Sequence, residues 1–226
     1  MDALKCLKSG NVILLQTDTL WGLSCDATNP DAVDAVIELK HRPENKSMII
    51  LVSDKEMLGK YAKLPEGMDI DRLRGISLVL KHKGNSDLCA NLIREGTVCA
   101  RIPDSPHLLD LISKFGKPIV STSANISGAD PPKSLEQIEP SIRDEVCAIV
   151  ENPENTDPNP QPSTIIDLSV DGKLKVVRVG KHIDRVRKFL GFSEYSFQWP
   201  ASDMKYPLLP LSMRISSNLQ EKHNRK

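Results

Sequence analysis

The chain has 226 residues, of which 39% are hydrophobic and 27% charged, enough apolar material for one large domain with a short appendage. Lys plus Arg and Asp plus Glu number 30 each, which excludes the basic excess of a general nucleic-acid binder and predicts weak or no direct binding of RNA or DNA. No stretch approaches the ~20 apolar residues that span a bilayer, and MDALKCLKSGNV does not read as a signal peptide, so a cytoplasmic protein without membrane attachment is expected.

In chain order, Asp2 to Lys8 reads as a short amphipathic helix ended by Gly10, and Val12 to Leu15 as an apolar strand leading into Thr17-Asp18-Thr19. Asn29-Pro30-Asp31 carries an N-cap, a proline for the first turn and a carboxylate for the positive helix end, and predicts a helix to about Lys40. Strands follow at Met48–Val52, Ile76–Leu80 and Thr97–Ile102; Asp54 caps an intervening helix. Ser105-Pro106 opens another helix that Gly116 closes. Pro118 to Val120 reads as a strand ending in Ser121-Thr122-Ser123, Ser134 as the cap of a small helix, and Val146 to Val150 as a strand. The Pro- and Asn-rich stretch 152–162 is a loop, and Thr164–Leu168 with Leu174–Val179 forms a hairpin about Asp171-Gly172. Strands that follow one another directly point to an α+β domain with a mixed sheet rather than a βαβ repeat. Six of the nine aromatic residues lie from Phe189 onward, so part of 183–207 is expected to dock, with a mobile end near 215–226. Five cysteines without CxxC spacing (Cys6, Cys25, Cys89, Cys99 and Cys147) read as reduced thiols rather than disulfides or zinc ligands, and no pattern supports Cys25 as a nucleophile.

Four strand ends carry polar residues able to do chemistry. QTDTLWGL, with Thr17, reads more readily as a Thr/Asp turn over a packed Trp21 than as a ligand site. KHRPENKS concentrates Lys40, Arg42 and Lys46 in a proline-stiffened loop, and reads equally as a polyphosphate cradle or as a solvated helix end. Arg101 falls inside an apolar strand on the face of Thr97 and Cys99, and needs an anion, supplied either by ligand or by protein. Ser121-Thr122-Ser123-Ala124-Asn125 is a dense donor set after a buried strand. Ser163 and Arg178 on the closing hairpin can face the same space.

In this order, QTDTLWGL, KHRPENKSM, RIP, STSANISG, STIIDL and RVG resemble the YrdC-like threonylcarbamoyl-AMP synthases over about residues 3–182. Three stretches depart from the family pattern. Gln16 replaces a proline, Leu73-Arg74-Gly75-Ile76-Ser77 keeps only the hydroxyl of PGPxT and the strand after it, and Leu51 stands where some members have histidine. The resemblance implies a twisted mixed sheet around a large open concave cavity with flanking helices, a catalytic domain over 1–182, and an extension over 183–226. It implies ATP with Mg²⁺ and no tightly bound cofactor, L-threonine and bicarbonate as substrates, and a tRNA-modifying partner enzyme that takes the adenylate. Residue by residue, it places Lys40, Arg42, Lys46, Thr97, Ser123, Asn125 and Arg178 at ATP, Lys40 and Arg42 being the catalytic pair. Thr17, Arg101, Ser121 and Ser163 fall at threonine. The alternative is a non-catalytic RNA-binding module of the same fold.

Overall fold

Short polar side chains set the helix starts. In the computed structural model, which describes residues 2–43, 47–171, 173–190 and the backbone of 208–210, Asp2 accepts from the Leu4 N–H to cap α1 (Ala3–Lys8). β1 (Ile13–Gln16) turns back through residues 17–20 into β2 (Trp21–Ser24). Asn29 caps α2 (Pro30–Leu39) with Pro30 in its first turn. β3 (Ile49–Leu51) precedes α3 (Lys55–Tyr61), which Asp54 caps through the Met57 N–H. β4 (Ser77–Lys81), β5 (Ile93–Arg94) and β6 (Thr97–Arg101) come next, the last two joined by Glu95 and Gly96 at φ 48° and 71°, the positive pair that tight hairpin turns demand. α4 (Pro106–Phe115) is capped by Ser105 and closed by left-handed Gly116. β7 (Ile119–Ser123), α5 (Pro140–Arg143), β8 (Ala148–Val150), β9 (Ile165–Asp167), β10 (Lys173–Arg178), α6 (Ile183–Leu190) and β11 (Leu208–Pro210) follow among the described residues.

The strands form one mixed sheet in the order β11-β10-β9-β4-β6-β3-β7-β2-β1-β8, with β5 paired beside β6. Three pairs are parallel (β1 with β8, β3 with β6, β4 with β9) and the rest antiparallel. This is the expected α+β architecture. The core is aliphatic: Ile13, Leu14, Leu15, Leu23, Ile50, Leu80 and Ile119 have no exposed surface.

Several boundaries move for physical reasons. Trp21 to Ser24, to which the sequence reading assigns no strand, is a strand buried throughout, so it shows no alternation. β7 runs on through Ser121, Thr122 and Ser123, whose hydroxyl character hides a strand from an apolar-run reading. Ser134 precedes a short 3-10 turn at Leu135–Gln137 and makes no side-chain cap bond. Gln16, in place of proline, holds the 152–162 loop by accepting from the Asn152 N–H at 3.0 Å and donating to the Asn155 carbonyl at 3.3 Å. Asn155 in turn donates to the Thr17 carbonyl at 2.6 Å.

Helix α6 packs through buried Val186, Phe189 and Leu190. Arg185 pins it to the domain, pairing with Asp104 at 2.5 Å and donating to the Arg74 carbonyl at 2.7 Å. The other aromatic residues of the extension, Phe192, Tyr195, Phe197, Trp199 and Tyr206, lie outside the described residues, as do 215–226. Among the described residues, no helix is long and apolar enough to cross a membrane.

The expectation of reduced thiols throughout is corrected at one pair. Cys6, on the buried face of α1, is disulfide-bonded to Cys147 at the entry to β8, with Cα atoms 6.0 Å apart. The sequence separation of 141 made the pair invisible to a spacing argument. Cys25, Cys89 and Cys99 remain free and buried, and burial raises the thiol pKa of each, that of Cys89 to about 11. None is activated as a nucleophile. Breaking the cross-link with Cys147→Ser or with dithiothreitol is expected to cost about 2–4 kcal/mol of stability, read as a lower urea midpoint with a slope no shallower than that of the cross-linked chain. Identical midpoints with and without reductant would show that the bridge does not form in solution.

Candidate active site

A cavity of about 430 Å³ opens on one concave face of the sheet, within the size range of small-ligand sites. Its wall comes from residues far apart in sequence: Trp21 and Gly22 on β2, Ile49 on β3, Val79 on β4, Thr97, Cys99 and Arg101 on β6, Ser121 to Ser123 on β7, Ile165 on β9 and Arg178 on β10. The period of two along β6 puts residues 97, 99 and 101 on this face, while Val98 and Ala100 are buried. Thr17, Thr19, Leu20, Arg42, Ser47, Pro131 and Ser163 are also among its lining residues.

The turn at 17–20 is self-supporting. Thr17 Oγ1 accepts from the Thr19 and Leu20 N–H groups at 3.2 and 3.1 Å and donates to the Leu20 carbonyl at 2.7 Å. Gly22 keeps this end open, since a Cβ there would lie 3.2 Å from both Ser121 Oγ and the Thr122 carbonyl. Arg101 is held from two directions. One guanidinium nitrogen donates to Thr19 Oγ1 at 2.9 Å, and the other lies 3.2 Å from an Asp18 carboxylate oxygen, both residues being almost wholly buried. Asp18 is oriented by the Asp104 N–H at 3.0 Å. The buried oxygen of Asp18 nearest Arg101 and the Arg101 Nε make no aligned hydrogen bond, so the pair is a Coulombic contact. Arg101, which is the last residue of β6, therefore has a protein anion and also faces the cavity. Asp18 and Thr19 were missed as its partners; the demand of a buried cation for an anion was the available signal.

Arg178, on the opposite wall, donates from Nε and a terminal nitrogen to the Ser163 carbonyl at 3.0 and 2.8 Å. Ser163 Oγ shares a 2.8 Å hydrogen bond with Ser77 Oγ, so the hydroxyl surviving from the altered 73–77 stretch supports this wall from behind. Gly180 permits the contact, because a Cβ would meet the Pro162 carbonyl. Thr97 Oγ1 donates to the Arg94 carbonyl at 2.7 Å and fixes the β5–β6 turn at the rim.

Arg42 reaches the cavity because α2 ends sharply. His41 takes a left-handed φ of 47°, and the Arg42 N–H returns to the Ile37 carbonyl at 2.9 Å. Burial and then neighbouring Arg94 lower the Arg42 pKa; burial chiefly, with Arg101 adding repulsion, lowers that of Arg178. Cationic side chains crowded enough to repel one another favour an anionic guest.

Of the residues expected at the site, Thr17, Arg42, Thr97, Arg101, Ser121, Ser123, Ser163 and Arg178 line this one cavity. Lys40 and Asn125 sit behind the wall. The Lys40 ammonium donates to the carbonyls of Ser123 and Asn125, and the Asn125 amide donates to the Ile126 and Ala129 carbonyls at 2.8 Å each. Lys46 lies outside the described residues. No carboxylate appears among the described lining residues, and no group of three or more metal-ligating side chains occurs among the described residues.

The Sua5–YciO–YrdC family model, described as telomere recombination, matches residues 5–180. The threonylcarbamoyl-AMP synthase of Pseudoalteromonas translucida is 32% identical over 179 residues, covering 76% of this chain and 94% of that protein. The Bos taurus protein of the same name is 32% identical over 181 residues, covering 77% of this chain and 65% of its own. The crystal structure of P. abyssi Sua5 complexed with L-threonine superposes with a TM-score of 0.74 at 28% identity, covering 84% of this chain; this chain spans 56% of that protein. A family match across most of the length, on a fold of the same architecture, establishes that this chain belongs to the Sua5–YciO–YrdC family.

Proposed function

We propose that the chain is a threonylcarbamoyl-AMP synthase, joining L-threonine, bicarbonate and ATP into L-threonylcarbamoyladenylate with release of pyrophosphate. One observation carries the reading: Arg42, Arg101 and Arg178 converge with a wall of hydroxyls on a single cavity whose described lining holds no carboxylate. Such a wall suits one molecule with several phosphates beside another with a carboxylate.

Arg42 and Arg178, with Thr97 and Ser123, are assigned to the nucleotide, and Lys46 joins them by its place in the loop. Thr17, Arg101, Ser121 and Ser163 are assigned to threonine, whose carboxylate would meet the cavity side of the Arg101 guanidinium. In the first step the threonine nitrogen adds to the carbon of CO2, giving up a proton, or of bicarbonate, from which water leaves, and a carbamate forms. In the second a carbamate oxygen bonds to the α-phosphorus, the bond from the α-phosphorus to the α,β-bridging oxygen breaks, and pyrophosphate leaves with that electron pair. The chain's work is to align the two reactants and to neutralise charge growing on the phosphates. The lining supplies cations and hydroxyls rather than anionic ligands, so Mg²⁺ fits as a companion of the ATP phosphates and not as a protein-held ion. A concave, partly shielded site would also slow hydrolysis of the carbamate.

We place the reaction in the cytoplasm and its product with a partner enzyme that modifies tRNA; the balanced charge agrees with a protein that need not grip tRNA itself. The decisive assay is pyrophosphate release with ATP, bicarbonate and each amino acid in turn. Release is expected only with all three substrates and most strongly with threonine. Release indifferent to the amino acid would refute the assignment.

A further inference from the structure

Helix α2 ends in two cations separated by a single residue, and the fold sends them to opposite sides of the cavity wall. Lys40 is the C-cap, at φ −91° and ψ −7°, and left-handed His41 then reverses the chain. Arg42 emerges on the lining, whereas the Lys40 side chain is 1% exposed and absent from it. Behind the wall its ammonium donates to the carbonyls of Ser123 and Asn125, the second at 2.6 Å. Its own carbonyl accepts from the Ser127 N–H at 2.8 Å. Residue 40 thus grips the 123–127 loop at three points, by side chain and backbone, across 83 positions of sequence.

We infer that Lys40 is a positioning residue for the nucleotide end of the site and acts through this loop rather than by touching phosphate. A trans peptide is planar, so its N–H points opposite its carbonyl. An ammonium that binds the Ser123 and Asn125 carbonyls therefore sets the orientation of both following peptide units. The first of these is already fixed on its other side, the Ala124 N–H donating to the Trp21 carbonyl at 2.9 Å. Ser123, the loop residue on the cavity lining, is aimed by that pair of contacts. Asn125 cannot replace the lysine, because its amide is committed to Ile126 and Ala129. The charge of Lys40 is delivered as backbone geometry, which a neutral side chain of similar length would not reproduce.

The inference rests on the nucleotide reading above, and its test separates the two. The full chain carrying Lys40→Met, Lys40→Arg or Arg42→Ala is titrated calorimetrically with ATP and with AMP, and amide exchange is followed over 121–130 without ligand. For Lys40→Met, a roughly ten-fold loss is expected for ATP and AMP alike, as for loss of a charge-assisted contact. Lys40→Arg should restore part of both, and exchange over 121–130 should quicken in Lys40→Met alone. Arg42→Ala should instead weaken ATP and spare AMP. Loss confined to ATP in Lys40→Met would make the lysine a phosphate ligand and overturn the inference. Exchange over 121–130 unchanged from the parent chain would overturn it whatever the affinities. If the parent chain binds neither nucleotide, the functional proposal fails, while exchange still decides whether Lys40 orders the loop.

Discussion

Replacing Arg42 by alanine is expected to raise the ATP concentration needed for half-maximal pyrophosphate release roughly 10- to 150-fold, the range for losing a charge-assisted donor, with the threonine requirement little changed. The side chain lines the cavity, and burial beside Arg94 already disfavours its charge, so an arriving polyphosphate relieves a repulsion built into the empty wall. The guanidinium also donates to the Ser47 carbonyl at 2.5 Å, so a change in stability has to be separated from the change in ATP requirement. Steady-state rates varied separately in ATP and threonine, with a urea melt of the same preparation, make the check. Equal small changes in both substrate requirements would remove Arg42 from the phosphate end.

Arg101 is expected to behave differently, since it serves the fold and the site together. Arg101→Ala strands the buried Asp18 carboxylate, and removal of one partner from a buried ion pair costs about 3–5 kcal/mol. It should also raise the threonine requirement by ten-fold or more while leaving that for ATP near its parent value. Adding Asp18→Asn to Arg101→Ala removes the orphaned charge and keeps an acceptor for the Asp104 N–H. The double variant should therefore recover much of the urea midpoint and none of the threonine affinity. Recovery of both together would reduce Arg101 to a structural ion pair.

Much of the framework could be read from local chemistry. Asn29 with Pro30, and Ser105 with Pro106 and Gly116, state where two helices begin or end, because capping is satisfied within a few residues of chain. The hairpin of β9 and β10 follows from its turn and its alternation. The residues expected at the site were gathered by family resemblance, and most of them share one cavity. What escaped was decided at a distance. β2 is buried on both faces and has no period to detect, and the disulfide joins residues 141 positions apart. Asp18 meets Arg101 only because the β1–β2 turn is laid against the end of β6. Lys40 and Arg42 share one cluster in the sequence, and only the left-handed residue between them decides which becomes lining and which becomes scaffold.

The order of strands across the sheet has a consequence for biosynthesis. β4, made before residue 82, has β6 on one side and β9 on the other, and β9 begins only at Ile165. Ser163 and Arg178, which close the far wall, leave the ribosome later than nearly every other lining residue. A growing chain halted at the loop of 152–162 would already carry Arg42 and Arg101, with one flank of β4 unpaired and Ser163, Ile165, Val177 and Arg178 missing from the pocket. Ligand binding should then switch on abruptly as β9 and β10 emerge, and ATP added to a translation reaction would stabilise only products that extend past β10.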